Sequence, residues 1–378
     1  MNQPSLLKKL RASLKTSNGV DTWLWWILAG LLIGGFLIFL SASIGLLARD
    51  GAHFGSVALS RLIAIVIGAN VAYLASVFHY KHLRRYTLPL LLCSIVMTAF
   101  VFVPGVGAEY GGARRWISIF GFSFQPAEIL KIAFVIYAAA FFASVREKVG
   151  SVQFGLFPLL ALLGVAGLLL LLQPDTDTFV VLFLALFAMF LAAGGKLRHV
   201  GVMIVVGALA LSLLIFSRPY LKERVVTFFN PAADPQGAGY QIQQSLIAVG
   251  SGGIAGRGFG QSVQKFSFLP EPIGDSIFAV AAEEFGFIGG FALILLFLAL
   301  LLRGLKIASR APDLFSGLLS IGIVILIGAS AFMNIGSMLA IIPLSGLPLA
   351  FVSHGGTALV ITLLEAGILL NISRYQKT

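Results

Sequence analysis

The chain of 378 residues is poor in charge and nearly devoid of cysteine: 11% of its residues are Asp, Glu, Lys or Arg, and Cys93 is the single thiol. One cysteine excludes an internal disulfide framework and a zinc cluster built on thiolates. Within an apolar run it reads as a small buried hydrophobe. Soluble domains carry about 25% charged residues, so an ordinary water-soluble enzyme is excluded. No G-x-x-x-x-G-K-[ST] run is present, which removes an ATP-hydrolysing P-loop. His53, His79, His82, His199 and His354 lack metalloprotease spacing and read as interfacial or packed. Gly250, Gly252, Gly253, Gly256, Gly258 and Gly260 do not give G-x-G-x-x-G and read as flexible turns. The 26 basic residues exceed the 15 acidic ones by 11, yet they are scattered between apolar runs, so a nucleic-acid surface is not indicated.

What the chain has is apolar length, with 58% of its residues hydrophobic. A membrane span needs about 20 such residues. Ten spans are predicted, at 23–47, 57–78, 87–104, 126–144, 156–172, 178–195, 199–217, 279–302, 315–342 and 348–372. The first is too long for the apolar region of a signal peptide and is followed by others, so it reads as a retained helix. The expected fold is therefore an all-α polytopic integral membrane protein of about ten transmembrane helices, with a large extracellular loop between helices 7 and 8. One membrane domain covers 1–378: a cytoplasmic tail at 1–22, helices 1–7 at 23–217, the loop at 218–278, helices 8–10 at 279–372 and a second cytoplasmic tail at 373–378.

Positive charge orients the spans. Lys8, Lys9, Arg11, Lys15, Lys81, Arg84, Arg85, Arg146, Lys148, Lys196, Arg198, Arg303, Lys306, Arg310, Arg374 and Lys377 fall on one set of connections. Those sixteen cations outnumber the eight on the opposite set two to one, which predicts both termini in the cytoplasm. The outer connections at 105–125 and 218–278 are the long ones, and loops longer than about 15 residues are usually functional or disordered. The second contains Tyr240, Phe259, Phe266 and an apolar helical stretch, so it is expected to fold against the membrane surface.

Ionisable residues at membrane depth are costly and point to function or to pairing. Glu128 and Lys131 lie one turn apart behind Pro126, either as a self-neutralising pair or as an anchor facing a cavity. Arg61 in the second span either snorkels to headgroups or meets a ligand. Glu365 in the tenth either pairs with a neighbouring helix or lies on a substrate path. Asp175, Asp177 and Thr178 are candidate caps of the sixth helix. Asp275, led in by Pro270 and Pro272, either caps the eighth helix or serves as a general base or metal ligand at the membrane boundary.

Several segments agree with one family together. They are Val103-Pro104-Gly105-Val106-Gly107, Gly112-Ala113-Arg114-Arg115-Trp116-Ile117, Phe124-Gln125-Pro126-Ala127-Glu128-Ile129-Leu130-Lys131 and Gln173-Pro174-Asp175. Asn230-Pro231 with the run from Asp234 to Gln241, Gln244 to Gly253, Phe268-Leu269-Pro270-Glu271 and Pro348 to Gly356 extend the match. The chain thus resembles the FtsW/RodA/SpoVE (SEDS) proteins of bacterial envelope growth over residues 23–372, with wording closest to the FtsW division branch.

The resemblance implies a peptidoglycan glycosyltransferase of the cytoplasmic (inner) membrane that polymerises lipid II at the outer face, for cell division or cell-shape maintenance. It implies a class B penicillin-binding protein (transpeptidase) and other divisome or elongasome membrane proteins as partners. Asp275 matches the family's essential catalytic aspartate, and Glu128 and Lys131 match its Gln-Pro-x-Glu-x-x-Lys segment. Arg61, Arg115, Glu128, Lys131, Asp175, Arg224, Lys265 and Ser353 are the expected substrate-binding residues. A divalent cation, Mg or Mn, with Asp275 as a candidate ligand, is expected as cofactor, and no nucleotide is. The chain departs from the family's common wording at Gly274, at Asp177 in place of glycine, and at His354 in place of tyrosine. Two other readings use the same charges or none of them: a lipid II flippase, and a non-catalytic scaffold for division proteins.

Overall fold

The computed structural model describes residues 19–50, 54–110, 113–119, 122–231 and 237–377. Lys8, Lys9, Arg11, Lys15, His53, Gly112 and the run from Asp234 to Gln236 lie outside the described residues. In chain order the helices are α1 (Thr22–Asp50), α2 (Phe54–Val77), α3 (Lys81–Arg85), α4 (Thr87–Ala99), α5 (Pro126–Ser144), α6 (Phe157–Leu172) and α7 (Thr176–Ala192). They continue as α8 (Leu197–Ser217), α9 (Pro219–Phe229), α10 (Ala238–Ser251), α11 (Gln264–Ser267), α12 (Ile277–Ser309), α13 (Leu314–Met338) and α14 (Gly356–Ser373).

Among the described residues eight helices are long and apolar enough to cross a membrane, and Thr87–Phe102 and Thr176–Ala192 are shorter apolar helices. A helix satisfies its backbone internally, the requirement lipid imposes; the break in one of these spans, at Gly286, is satisfied by another segment of the chain. The expectation of an all-α chain needs one correction. The connection after α4 folds into an antiparallel sheet of β1 (Gly107–Tyr110), β2 (Ala113–Ile119) and β3 (Phe122–Phe124), in that order. Outside the lipid a short meander can pair its own edges or meet water, so helix is no longer obligatory there.

The middle of the bundle is α13, which packs on α5, α7 and α12, while α14 lies along α2 and α5. Small residues permit the close approaches. A side chain at Gly367 of α14 would meet the backbone of Ala72 in α2. By contrast α8 is almost wholly exposed and leans on α9 alone among its stronger contacts. Cys93, expected to be buried, is exposed on the outer surface of the bundle, where lipid and not protein covers apolar groups.

Three span boundaries differ from expectation, each for a local reason. α13 ends at Met338 and α14 begins at Gly356, so 339–355 is a non-helical segment and not the ends of two spans. Pro343 and Pro348 cannot donate to a helical ladder, and Ala340 (φ 52°) and Phe351 (φ 65°) are left-handed. The eighth span is interrupted at Gly286 (φ 66°). Residues 253–258 fill that break: Arg257 and Gly258 donate to the carbonyls of Glu283 and Glu284, and Phe287 and Ile288 donate to those of Gly253 and Ile254. The glycines expected to be flexible turns are thus a segment inserted against a transmembrane helix. Gly256 and Gly286 face each other there with no space for a side chain on either.

At the other end of the bundle Arg303 binds both carboxylate oxygens of Asp21, and the Asp21 amide donates to Ser373 Oγ. Tyr80 donates to Asp313, whose second oxygen caps α13 through the Ser316 amide. These contacts gather the beginning and the end of the described chain on one side.

Candidate functional site

Pro126 opens α5 because its missing N–H is no loss in the first turn. Two and five residues on, Glu128 and Lys131 share a face and form a buried ion pair of 2.9 Å. They line a small cavity with Arg61 from α2, Glu365 from α14, Ser330 from α13 and the 347–353 segment. Glu365 is buried and forms no ion pair or side-chain hydrogen bond among the described residues. Arg61 does not snorkel. It is 2% exposed, stacks 5.1 Å from the Phe39 ring, and donates to the carbonyls of Phe351, Ser353 (2.6 Å) and Val352 (3.3 Å). A guanidinium held by neutral carbonyls keeps its positive charge unneutralised. Those bonds also hold the left-handed Phe351, a conformation that costs of order 1–3 kcal/mol.

The same segment fixes the approach to α12. Ser353 Oγ donates to the Gly274 carbonyl at 2.7 Å, and the His354 amide donates to that of Ile273 at 2.7 Å. Asn334, in the middle of apolar α13, donates to the carbonyls of Asp275 (2.7 Å) and Leu347 (2.8 Å). Gln241 of α10 donates to Ser276 Oγ. The Asp275 backbone is therefore held from three directions, while Ser276, one residue later, occupies the N-cap of α12 without a side-chain cap bond. Asp275 is not the cap.

Its carboxylate lies beside Gly346. A methyl built on Gly346 would stand 3.7 Å from Asp275 Oδ2, 3.8 Å from Arg224 Nη2 and 3.9 Å from Asp177 Oδ2. Burial, with Glu271 and Asp177 adding to it, pushes the Asp275 carboxyl up to about 7, against the opposing pull of Arg224 and Arg115. Asp177 accepts from Arg224 Nη1 at 2.9 Å and from the Gly346 amide at 3.0 Å. Arg115, on β2, reaches the Gln173 and Pro174 carbonyls and lies 3.7 Å from Asp175. Asp175 stands at the N-cap of α7 but makes no cap bond, and burial raises its carboxyl above the usual range.

Of the expected site residues, the structure brings Arg61, Glu128, Lys131 and Ser353 to the cavity and Asp275, Arg224, Arg115 and Asp175 to the adjoining group. The 346–353 strip separates the two. Lys265 joins neither. It is fully buried, with Nζ 2.6 Å from Glu284 and 3.1 Å from Ser41 Oγ. Glu283 beside it accepts from Ser262 Oγ and the Val263 amide, and lies 3.4 Å from Arg257. All of this pins the 251–265 segment to α12.

Among the described residues no three His, Cys, Asp or Glu side chains form a metal-ligand set. Asp275 has Asp177 and Glu271 as acidic neighbours, but the Arg224 guanidinium sits among them, which does not fit a resident divalent cation. Asn334 and Gly346 were missed by sequence reasoning. An asparagine inside an apolar span was the available signal for the first; nothing marked the second.

Residues 22–378 match the FtsW/RodA/SpoVE model, described as a cell cycle protein. The chain belongs to that family. It is 38% identical over 317 residues to stage V sporulation protein E of Bacillus subtilis, covering 84% of this chain and 87% of that one. It is 36% identical over 368 residues to the probable peptidoglycan glycosyltransferase FtsW of Geobacter metallireducens, covering 97% and 98%. Among solved structures, a chain of a peptidoglycan synthase complex studied for how polymerization and crosslinking are coordinated superposes with a TM-score of 0.79 at 27% identity, over 95% and 99% of the two chains. Thermus thermophilus rod shape determining protein RodA gives 0.69 at 26% identity, over 95% and 98%. Like other members of the family, the chain is a multi-pass membrane protein.

Proposed function

We propose that this family member is a peptidoglycan glycosyltransferase that polymerises lipid II, with Asp275 as the base. The carrying observation is a buried carboxyl pushed up to about 7 with Arg224 and Arg115 near it, one segment away from a polar cavity inside the bundle. A pKa near the working pH is what a general base needs. Asp275 removes the proton from the incoming sugar hydroxyl, whose oxygen forms the new bond to the anomeric carbon as the bond to pyrophosphate breaks. Arg224 and Arg115 face the charge that develops on the departing pyrophosphate, where forked donors stabilise it best. One base suffices because this leaving group departs as an anion, unlike the alcohol of a glycosidase, which must be protonated. These roles fall to side chains of the chain itself.

The end carrying 218–276 then faces outward in a bacterial cytoplasmic membrane and both termini face the cytoplasm, the direction given by the positive charges. A class B penicillin-binding protein crosslinks the product, and the setting is division or shape maintenance.

The test is reconstitution with labelled lipid II, with and without the penicillin-binding partner. Glycan strands from the native chain and none from a folded Asp275→Ala variant are expected. Unchanged polymer from that variant overturns the assignment, and headgroup translocation without polymer under every partner condition establishes a flippase instead.

A further inference from the structure

Besides burying Leu221 and Thr227, α9 bonds to the bundle through two side chains four residues apart on one face. Tyr220 Oη lies 2.6 Å from Thr176 Oγ1, and Arg224 Nη1 lies 2.9 Å from Asp177 Oδ2. Their partners are the first two residues of α7, so a helix of the outer segment is stapled across the start of a span. The staple is needed locally, because the preceding helix α8 is almost wholly exposed and supplies little other anchorage. Asp177 Oδ2 also accepts from the Gly346 amide, which locks the pair to the strip running past Asp275. With Nη1 engaged, Nη2 is the nitrogen that points to the space beside Gly346, and it makes no hydrogen bond among the described residues. Gly346 keeps that space open, since its missing side chain would fill it.

The geometry points to Asp177 as a positioning residue that docks α9 with Thr176 and turns Arg224 Nη2 toward the donor pyrophosphate beside Asp275. This rests on the glycosyltransferase reading above and deepens it. An anchored guanidinium presents one fixed donor to the leaving oxygen, whereas an unanchored one loses rotamer freedom at every binding event. Asp177 touches no reacting atom; it positions through Arg224, in addition to its share in raising the Asp275 carboxyl.

The experiment measures polymerisation against lipid II concentration in proteoliposomes with the penicillin-binding partner, alongside thermal unfolding. Asp177→Asn is expected to raise the half-saturating lipid II concentration about 10- to 100-fold, the worth of one charged hydrogen bond, with a smaller fall in maximal rate. Asp177→Glu should recover most of the loss. The charge swap Asp177→Arg with Arg224→Asp separates positioning from tethering. It should restore unfolding temperature, because the ion pair is back, and leave the half-saturating concentration raised, because the guanidinium now stands on the wrong helix. A swap that restores both, or an Asp177→Asn variant within twofold of native, overturns the inference. Arg224→Lys keeps the pair but loses the second nitrogen, so a native concentration dependence in that folded variant overturns it independently. Asp275→Asn in the same assay tells the two failures apart: native polymer there overturns the base assignment itself, whatever Asp177 does.

Discussion

Two groups of buried charge sit in this molecule, and they differ in whether their hydrogen-bonding capacity is used up. Around Lys265, Glu284 and Glu283, carboxylates and ammonium meet one another, the Ser41 hydroxyl of α1, and a hydroxyl and amides of the 251–265 segment. Around Arg61, Glu365 and Asp275 the charges meet carbonyls, a cavity or a space that a glycine keeps open. Burial of charge alone therefore does not mark a working site. A saturated cluster is an anchor, and an unsaturated one has partners still to come.

Breaking the saturated cluster should have the largest effect on folding. Lys265→Met strands the Glu284 carboxylate and is expected to cost about 3–5 kcal/mol, read as loss of folded protein in detergent with activity falling in proportion. A fully stable variant would show that the anchor is not one. Swapping Glu128 and Lys131 tests the other cluster. The swapped pair can re-form, so folded protein should be retained while polymerisation falls by one or more orders of magnitude, and an active swap would place this pair with the anchors. Ser353→Ala, which frees the Gly274 carbonyl next to Asp275, should cost about 1–3 kcal/mol, seen more in rate than in unfolding temperature. The smallest effect concerns pH. Because Asp275 acts as a base and its carboxyl stands at about 7, polymerisation should fall as pH drops through about 7. Glu271 adds to that upward push, so Glu271→Gln should move the fall to lower pH. A fall that stays in place would remove Glu271 from the set.

Much of this arrangement was legible in the amino-acid sequence. Apolar length located the membrane helices, and the one-turn spacing of Glu128 and Lys131 put them on one face, with pairing and a cavity as the two readings; the structure shows the pair lining a cavity. Less legible was anything that depends on a second segment. Residues 339–342 and 348–355 read as membrane because Ile341, Ile342, Leu349, Phe351 and Val352 are apolar. They are apolar because several of them line or close a cavity, and composition does not distinguish that from lipid contact. Lys265 looked available to a phosphate, since a lone lysine in a loop carries no sign of Glu284 arriving from the next helix. Asp177 drew attention as a candidate cap and as a departure from the family's wording, and Arg224 and Gly346 give it its partners.

The insertion of residues 253–258 at Gly286 bears on biosynthesis. The inserted segment is translated before the helix it completes, so the Arg257 and Gly258 amides and the Gly253 and Ile254 carbonyls lack these partners until Glu283 to Ile288 emerge and enter the membrane. Maturation of the outer segment is thereby timed by insertion of the eighth span. A nascent chain arrested before residue 283 would display the glycine run unpaired and open to protease, and completion of that span would close the window.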